Sequence, residues 1–332
     1  MSKIKGSVFG LAFGDAYGYP TEFSSYAYLS AMGFADFPKG DNNALVSDDT
    51  QMAIAAMEAV IQNYKDFSAE SLDESYIAEK IADSFVIWSQ DPKNNRAPGT
   101  TCMTAISLYN RNRQLGGYAG EQNHSKGCGA NMRNPWFGLL PFSSRKIEEL
   151  SIIQSRVTHG HPLALSSAVL TALFTQSVYQ GNVSPGEGYD LARHTVNDLI
   201  SRPVATLPAK YYDGLNELAE FLEAAKHHYI QFMRVSENTN YDICQFFGEG
   251  WVAEEALLNA IAGFDKFADN PTSGLKRLAN SSGDSDSLAA IGGAFLGAYA
   301  GNVWPEEWYS GLEEDYRQRL DAITVALSKI AN

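Results

Sequence analysis

Apolar residues recur three and four positions apart through most of this chain, as residues 52–60 and 215–225 illustrate. That spacing gathers apolar side chains on one face of an α-helix, whereas a half-buried strand needs strict alternation. Long Val/Ile/Thr alternations are absent. The sequence therefore predicts an all-α fold. Further stretches of helical period, separated by Gly-, Pro-, Asn- and Ser-containing turns, are residues 51–64, 75–89, 147–156, 163–179, 188–200, 251–263, 286–300 and 313–330.

Glycines stand four residues apart from Gly6 to Gly18. On a helix they form one smooth stripe, which a neighbouring helix can approach closely. The stretch at 286–300 is similarly rich in glycine and alanine. We expect both helices to lie deep in the core. A membrane helix is disfavoured for the first, because it carries Asp15 and ends at Pro20.

Composition narrows the class of protein. The 332 residues are 45% hydrophobic and 19% charged, as expected for a globular protein with a large core. The net charge of −14 disfavours binding to nucleic acid or to an anionic membrane. No uninterrupted apolar run reaches the roughly 20 residues of a membrane span. A small anionic ligand remains compatible if local amides or a cation hold it.

Three widely spaced cysteines lack any CxxC pair, so neither a disulfide framework nor a thiolate zinc site is predicted. The apolar run near the N-terminus is interrupted before it could form a signal-peptide core. We therefore expect a cytoplasmic protein. Segments 37–47 and 91–101 are interpreted as ordinary surface loops, and no linker divides the chain into two domains.

Two acidic clusters each come just before an apolar helix, at Ser47-Asp48-Asp49-Thr50 and at Asp284-Ser285-Asp286-Ser287. Helix capping is one explanation, since Ser and Asp are favoured N-caps and carboxylates complement the helix dipole. Capping explains one or two of these residues per helix but not four carboxylates. Carboxylates and hydroxyls without His or Cys suit Mg²⁺, Mn²⁺ or Ca²⁺. Both explanations stay open for each cluster alone.

In this order and at this separation, the acidic clusters resemble those of the ADP-ribosylglycohydrolase family. The likeness spans nearly the whole chain. Its other parts are Gly14-Asp15-Ala16 through Pro20 and Glu22, the loop with Ser125, Gly127, Gly129, Met132 and Arg133, the pair Thr158-His159, the turn Gly248 to Trp251, and the Gly/Ala helix that ends at Gly301.

The resemblance implies a compact orthogonal helical bundle, one domain over residues 1–332, around two divalent cations, Mg²⁺ or Mn²⁺. The implied metal ligands are Ser47, Asp48, Asp49, Asp284, Asp286 and Ser287. The implied catalytic residues are Glu22, Asp48 and Asp49. The implied substrate-binding residues are Ser125, Gly127, Gly129, Met132, His159, Gly250 and Trp251. Ser47 and Ser287 replace the family's usual threonines but keep the hydroxyl oxygen.

The implied activity is hydrolysis of the glycosidic bond between ADP-ribose and a modified protein side chain, foremost arginine, with ADP-ribose as product. Serine-linked ADP-ribose and O-acetyl-ADP-ribose are alternative substrates. A non-catalytic ADP-ribose-binding or toxin-neutralising protein is an alternative of another class. Several of these residues also have a purely structural explanation. His159 and Arg133 could each anchor a loop, Trp251 could fill the core, and Glu22 could simply occupy the first turn of a helix.

Overall fold

In a computed structural model, residues 2–116, 123–237 and 239–331 are described, and they confirm the all-α class. These residues contain two isolated β-bridges and no strand. The helices are α1 (Ser2–Gly18), α2 (Tyr26–Met32), α3 (Asp48–Gln62), α4 (Tyr64–Ser68), α5 (Glu74–Ser89), α6 (Thr100–Asn112), α7 (Ser144–Arg156), α8 (Pro162–Gln180), α9 (Gly188–Ser201), α10 (Ala209–Arg234), α11 (Cys244–Phe247), α12 (Ala253–Phe267), α13 (Pro271–Ala279), α14 (Ser285–Ala300), α15 (Glu306–Gly311) and α16 (Glu314–Ile330).

Each stretch of predicted helical period is a helix, but two boundaries matter for function. Helix α3 begins at Asp48 and α14 begins at Ser285, so the acidic clusters form the first turns of these helices. The prediction missed α6 and α13, together with the short helices α2, α4, α11 and α15. Helix α6 has a polar and small-residue sequence with a weak apolar face, so its period is hard to see.

The glycine stripe of α1 packs against α14, with the two helices antiparallel. Near one end Gly6 contacts Gly297, and at the other Gly18 contacts Ser285. Between them, a methyl group on Gly10 would overlap the carbonyl oxygen of Gly293. The two backbones therefore touch directly, and both helices lie in the core as predicted.

One hydrophobic cluster, with members from most of the helices, surrounds this pair. Helix α8 is one of its central elements, with fifteen of its nineteen residues buried. In the described part of the chain it alone is long and apolar enough to cross a membrane, but 83% of its most apolar window is buried in the protein. Burial of this kind is typical of a core helix.

The antiparallel contact brings the end of α1 to the start of α14. The hydroxyl group of Ser285 donates a hydrogen bond to the carbonyl oxygen of Gly18 (3.0 Å). Asp15 on α1 reaches a third helix, because its carboxylate accepts from the backbone N–H groups of Ser47 and Thr50 at the start of α3. Segments more than 200 residues apart in sequence therefore meet at one place.

We expect Gly10→Ala to lower the free energy of unfolding by about 3 kcal/mol or more, because the added carbon meets backbone atoms that cannot move aside. Gly181→Ala is the control: Gly181 has a positive φ of 76° but nothing within 4 Å of the added carbon, so only about 1 kcal/mol of strain is expected there. Urea unfolding measures both values, and equal losses would contradict a tight α1–α14 contact.

Candidate active site

The two acidic clusters, which lie far apart in sequence, meet in one open cavity of about 480 Å³. Its floor carries Asp48 and Asp49 from the first turn of α3, and Asp284, Asp286 and Ser287 from the start of α14. Glu22, just after α1, joins them. The remaining lining residues are Phe23, residues 97–102, residues 127–129, Met132, His159 and Trp251.

Asp15 holds the α3 cluster in place, a role that the sequence reasoning missed. Its carboxylate is completely buried and accepts two hydrogen bonds from the N–H of Ser47 (2.9 and 3.0 Å) and one from that of Thr50 (3.0 Å). The side chain of Ser47 is the N-cap of α3 and lies 3.4 Å from Asp49 Oδ2. A charged residue within an otherwise apolar glycine-striped helix was the available signal.

The carboxylates of Glu22, Asp284 and Asp286 approach one another closely. One oxygen from each lies within 4.8 Å of the other two. Within the described residues, Glu22 Oε2 and Asp49 Oδ1 are buried without a hydrogen-bond partner. Asp48 is partly satisfied, because its Oδ2 accepts from the Gly99 N–H (3.0 Å).

The cluster is electrostatically unfavourable by itself. Burial, followed by repulsion from Asp286, raises the pKa of Glu22 to about 9. Burial also raises the pKa of Asp48 to about 8, although the hydrogen bond from Gly99 opposes the rise. No Lys or Arg in the described part of the chain forms an ion pair with these carboxylates. Buried like charges without counter-ions need a cation.

The donor set fits a divalent metal ion. It consists of carboxylate and hydroxyl oxygens, the ligands preferred by Mg²⁺ and Mn²⁺, and two of its buried oxygens lack partners. Helix capping does not explain the arrangement, since Asp284 makes no side-chain capping hydrogen bond. Asp286 accepts from the N–H of its neighbour Ser287 (3.0 Å), and its carboxylate also contacts the side chains of Asp284 and Ser47, the latter the N-cap of a different helix.

A glycine loop forms a further part of the cavity wall, next to the acidic cluster. Gly127 pairs with Val252 in a short antiparallel bridge, which ties the loop to the start of α12. The hydroxyl of Ser125 accepts from the Gly127 N–H (3.2 Å), so this amide is not free for a ligand. Gly129 has no left-handed backbone, but a Cβ there would lie 2.7 Å from Cys102 Sγ and 3.0 Å from His159 Cε1.

The buried pair Thr158-His159 lies behind this loop. The ring of His159 lines the cavity and its Nδ1 lies 2.9 Å from Thr158 Oγ1. Arg133 is completely buried and donates to the carbonyl oxygen of Gly129 (2.8 Å). Arg133 is therefore a loop anchor, one of the alternatives that the sequence left open.

Two exposed aromatic rings stand at the mouth of the cavity. Phe23, 70% exposed, stacks on Trp251, 38% exposed, with ring centroids 5.3 Å apart. Trp251 is thus a cavity residue and not a core residue. Gly250 does not line the cavity: it has a positive φ of 84°, and its N–H donates to Glu255 (3.1 Å), which sets the turn that presents Trp251.

The interpretation of residues 91–101 as an ordinary surface loop was wrong. Residues 97–101 line the cavity, and the backbone of Gly99 holds Asp48. Helix α6 continues from this segment and places Cys102 beside Gly129. A Pro-Gly pair before a polar helix offered no periodic signal, so sequence reasoning could not assign these residues to the site.

Comparison with known proteins decides the family. The family model described as ADP-ribosylglycohydrolase matches residues 1–331. The chain belongs to the ADP-ribosylglycohydrolase family. Members of this family are metal-dependent hydrolases that act on ADP-ribosylated substrates, in agreement with the acidic cluster. The resemblance read from the sequence is thereby confirmed.

Relatives within the family are distant. An uncharacterized protein of Archaeoglobus fulgidus is 28% identical over 99% of this chain and 96% of its own. ADP-ribosylhydrolase ARH1 of Dictyostelium discoideum is 25% identical over 98% of this chain and 93% of its own. ADP-ribosylhydrolase ARH3 of Homo sapiens is 25% identical over 80% of this chain and 74% of its own.

A solved structure titled ADP-ribosylglycohydrolase-related protein complex shares the fold. It covers 100% of this chain and 98% of its own, with a TM-score of 0.66 and 20% identity. The helical architecture of the family is therefore shared along the whole length.

We expect Asp49→Asn to stabilise the metal-free protein by about 1 kcal/mol, because burial and repulsion from Asp286 raise the pKa of Asp49, so that folding must either bury its charge or take up a proton, and an amide needs neither. The same change should remove most of the stabilisation that Mn²⁺ gives the wild type, since binding to the folded state alone raises stability. Thermal unfolding with chelator and with Mn²⁺ measures both effects. Asp73→Asn, at the exposed N-cap of α5, is the control. A destabilised metal-free Asp49→Asn protein would indicate a capping role instead.

Proposed function

We propose that this protein removes ADP-ribose from modified protein side chains by metal-dependent hydrolysis, with arginine-linked ADP-ribose as the preferred substrate. The observation that carries the proposal is that the buried carboxylate cluster and the Gly127–Gly129 loop line one cavity side by side. One wall suits cations and the other suits an anion. ADP-ribose offers ribose hydroxyls for the first and a diphosphate for the second.

In this proposal Asp48, Asp49, Asp284 and Asp286, with the hydroxyls of Ser47 and Ser287, hold two divalent cations. When bound, the cations supply Lewis-acid polarisation of the ribose oxygens and of the attacking water. Asp15 keeps the α3 ligands in register through its hydrogen bonds to Ser47 and Thr50. The protein therefore contributes by burying and orienting the oxygen ligands of the cations.

Glu22 is assigned to proton transfer. Its Oε2 is buried without a partner beside Asp284 and Asp286, where the scissile bond of a bound ribose would lie. Hydrolysis breaks the bond between the anomeric carbon and the side-chain nitrogen. The hydroxyl of the water joins the carbon while Glu22 takes up the remaining proton of the water at Oε2, and Glu22 then gives that proton to the leaving nitrogen.

The diphosphate is assigned to the wall formed by Gly129, Met132 and His159. Because the Gly127 amide is already bonded to Ser125, that serine shapes the loop instead of contacting ligand. An acidic protein can hold an anion here because the local surface is backbone and a neutral histidine: burial lowers the pKa of His159 to about 3.

The mouth of the cavity favours a cationic leaving group. The rings of Phe23 and Trp251 are exposed there, and Trp251 Nε1 donates to the carboxylate of Glu249 (3.1 Å). A guanidinium group is attracted by aromatic faces and by carboxylates, whereas a serine hydroxyl or an acetyl ester is not. This is the reason for placing arginine first.

The activity is tested on proteins that carry ADP-ribose on arginine or on serine, and on O-acetyl-ADP-ribose, with Mg²⁺ or Mn²⁺ and with chelator. We expect cation-dependent release of ADP-ribose, fastest from arginine. Asp286→Asn should lower the rate at least about 100-fold while the protein stays folded, since loss of a ligand exceeds the usual effect of losing its supporting residues. Asp73→Asn serves as the matched control.

Three results would change the proposal. Faster release from serine or from the acetyl ester would show that serine-linked ADP-ribose or O-acetyl-ADP-ribose is the preferred substrate. Binding of ADP-ribose without any release would favour a binding or toxin-neutralising protein. Wild-type turnover in Asp286→Asn at limiting Mg²⁺ would show that this carboxylate only caps α14.

We expect Gly129→Val to weaken binding of free ADP-ribose by at least about tenfold, a loss of about 1.4 kcal/mol. A β-branched side chain at that position collides with Cys102 and His159, and it fills the proposed diphosphate wall. Calorimetry measures ADP-ribose affinity, and Mn²⁺ affinity is the internal control, because residue 129 lies outside the carboxylate cluster. Unchanged ADP-ribose affinity would move the binding site to the turn Gly248 to Trp251.

A further inference from the structure

Arg133 is a completely buried cation whose hydrogen-bond partners, within the described residues, are all uncharged. Its Nε donates to Gln154 Oε1 (2.8 Å), and its Nη1 donates to the carbonyl oxygen of Gly129 (2.8 Å). Its Nη2 donates to the carbonyl oxygen of Gln154 (3.0 Å) and to Thr158 Oγ1 (2.8 Å). The guanidinium also stacks on Phe85, 4.7 Å from the ring centroid. Since arginine cannot accept, the direction of each bond is known.

The hydroxyl of Thr158 stands between this cation and His159. Its oxygen accepts from Arg133 and lies 2.9 Å from His159 Nδ1. A hydroxyl that accepts from a cation becomes a stronger donor and a weaker second acceptor. The thiol of Cys102 is the other group near this hydroxyl, and sulfur is a weaker acceptor than an imidazole nitrogen. The hydroxyl hydrogen is therefore directed to Nδ1.

The ring of His159 presents its other nitrogen to the cavity. A Cβ at Gly129 would lie 3.5 Å from Nε2, and one at Gly127 would lie 3.8 Å away. Because neither glycine has a side chain, this edge of the ring is uncovered. No described residue forms a hydrogen bond with Nε2. Burial and the charge of Arg133 keep the ring neutral by lowering its pKa to about 3.

We infer that Arg133 and Thr158 are positioning residues that hold His159 with its hydrogen on Nε2, as a neutral donor aimed at an anionic ligand beside the glycine loop. The identity of that ligand as a diphosphate rests on the proposed function; the state of the ring does not. A neutral ring in the opposite tautomer would present a lone pair there and would repel the same anion. The tautomer thus decides whether this wall attracts or rejects phosphate oxygens.

The test is nitrogen-15 NMR of the histidine rings in the ligand-free full chain, with His159→Gln used to assign the signals. We expect the signals of His159 to show an unprotonated Nδ1 and a protonated Nε2 at neutral pH. His161 is an internal reference, because its Nδ1 accepts from the Leu163 N–H (3.1 Å) and is unprotonated when the ring is neutral. Thr158→Val, close in shape but without the hydroxyl, should increase the Nδ1-protonated form, and Thr158→Ser should restore the wild-type pattern.

Affinity gives a second measurement. Thr158→Val should weaken binding of free ADP-ribose by about tenfold, the effect of one hydrogen bond to a charged group, while Thr158→Ser stays within about twofold of the wild type. A wild-type ring protonated on Nδ1 would overturn the inference whatever the protein binds. A wild type with the expected tautomer that binds no ADP-ribose would instead overturn the proposed function. Equal loss of affinity in Thr158→Val and Thr158→Ser would show a packing role for Thr158 and contradict the inference that its hydroxyl sets the tautomer of His159.

Discussion

The direct contact between the backbones of α1 and α14 is the constraint on which the rest of the structure depends. It exists because glycine or another small residue stands at every crossing point, from Gly6 against Gly297 to Gly18 against Ser285. The first helix of the chain is thereby locked against one of the last. The carboxylates of Asp284 and Asp286 meet Glu22 through this contact, and Asp15 on α1 then holds the start of α3 with Asp48 and Asp49 beside them.

Buried groups of opposite charge lie at the cavity, carboxylates in its wall and a guanidinium behind the glycine loop. In the cavity wall, four buried carboxylates and the half-buried Glu22 face one another without a basic partner in the described residues. Behind the glycine loop, the buried guanidinium of Arg133 is surrounded by uncharged groups. The carboxylate group becomes favourable when cations arrive. Arg133 does not line the cavity, so we expect it to act on an anion only through Thr158 and His159. A ligand with both a cation-binding ribose and an anionic diphosphate satisfies the two sides together.

Much of the fold was predictable because helices with a clear apolar face carry their own periodic signal. The acidic clusters were predictable as well, since four carboxylates at helix starts exceed what capping needs. Gly99 and Cys102 were not predictable, because their place depends on how a polar segment without period folds back on α3. Asp15 was visible as a charge in an apolar helix, yet its partners on α3 could be known only from the tertiary structure.

Asp15 has a consequence for how this chain can change in evolution. It lies on the same helix as the glycine stripe, directly after Gly14, and its carboxylate fixes the start of α3. A shift of α1 along α14 by a fraction of a helical turn would therefore also move the oxygens of Asp48 and Asp49. Packing and cation affinity are coupled through one side chain. Substitutions in the first helix are therefore constrained both by the stability of the fold and by the affinity of the site for cations.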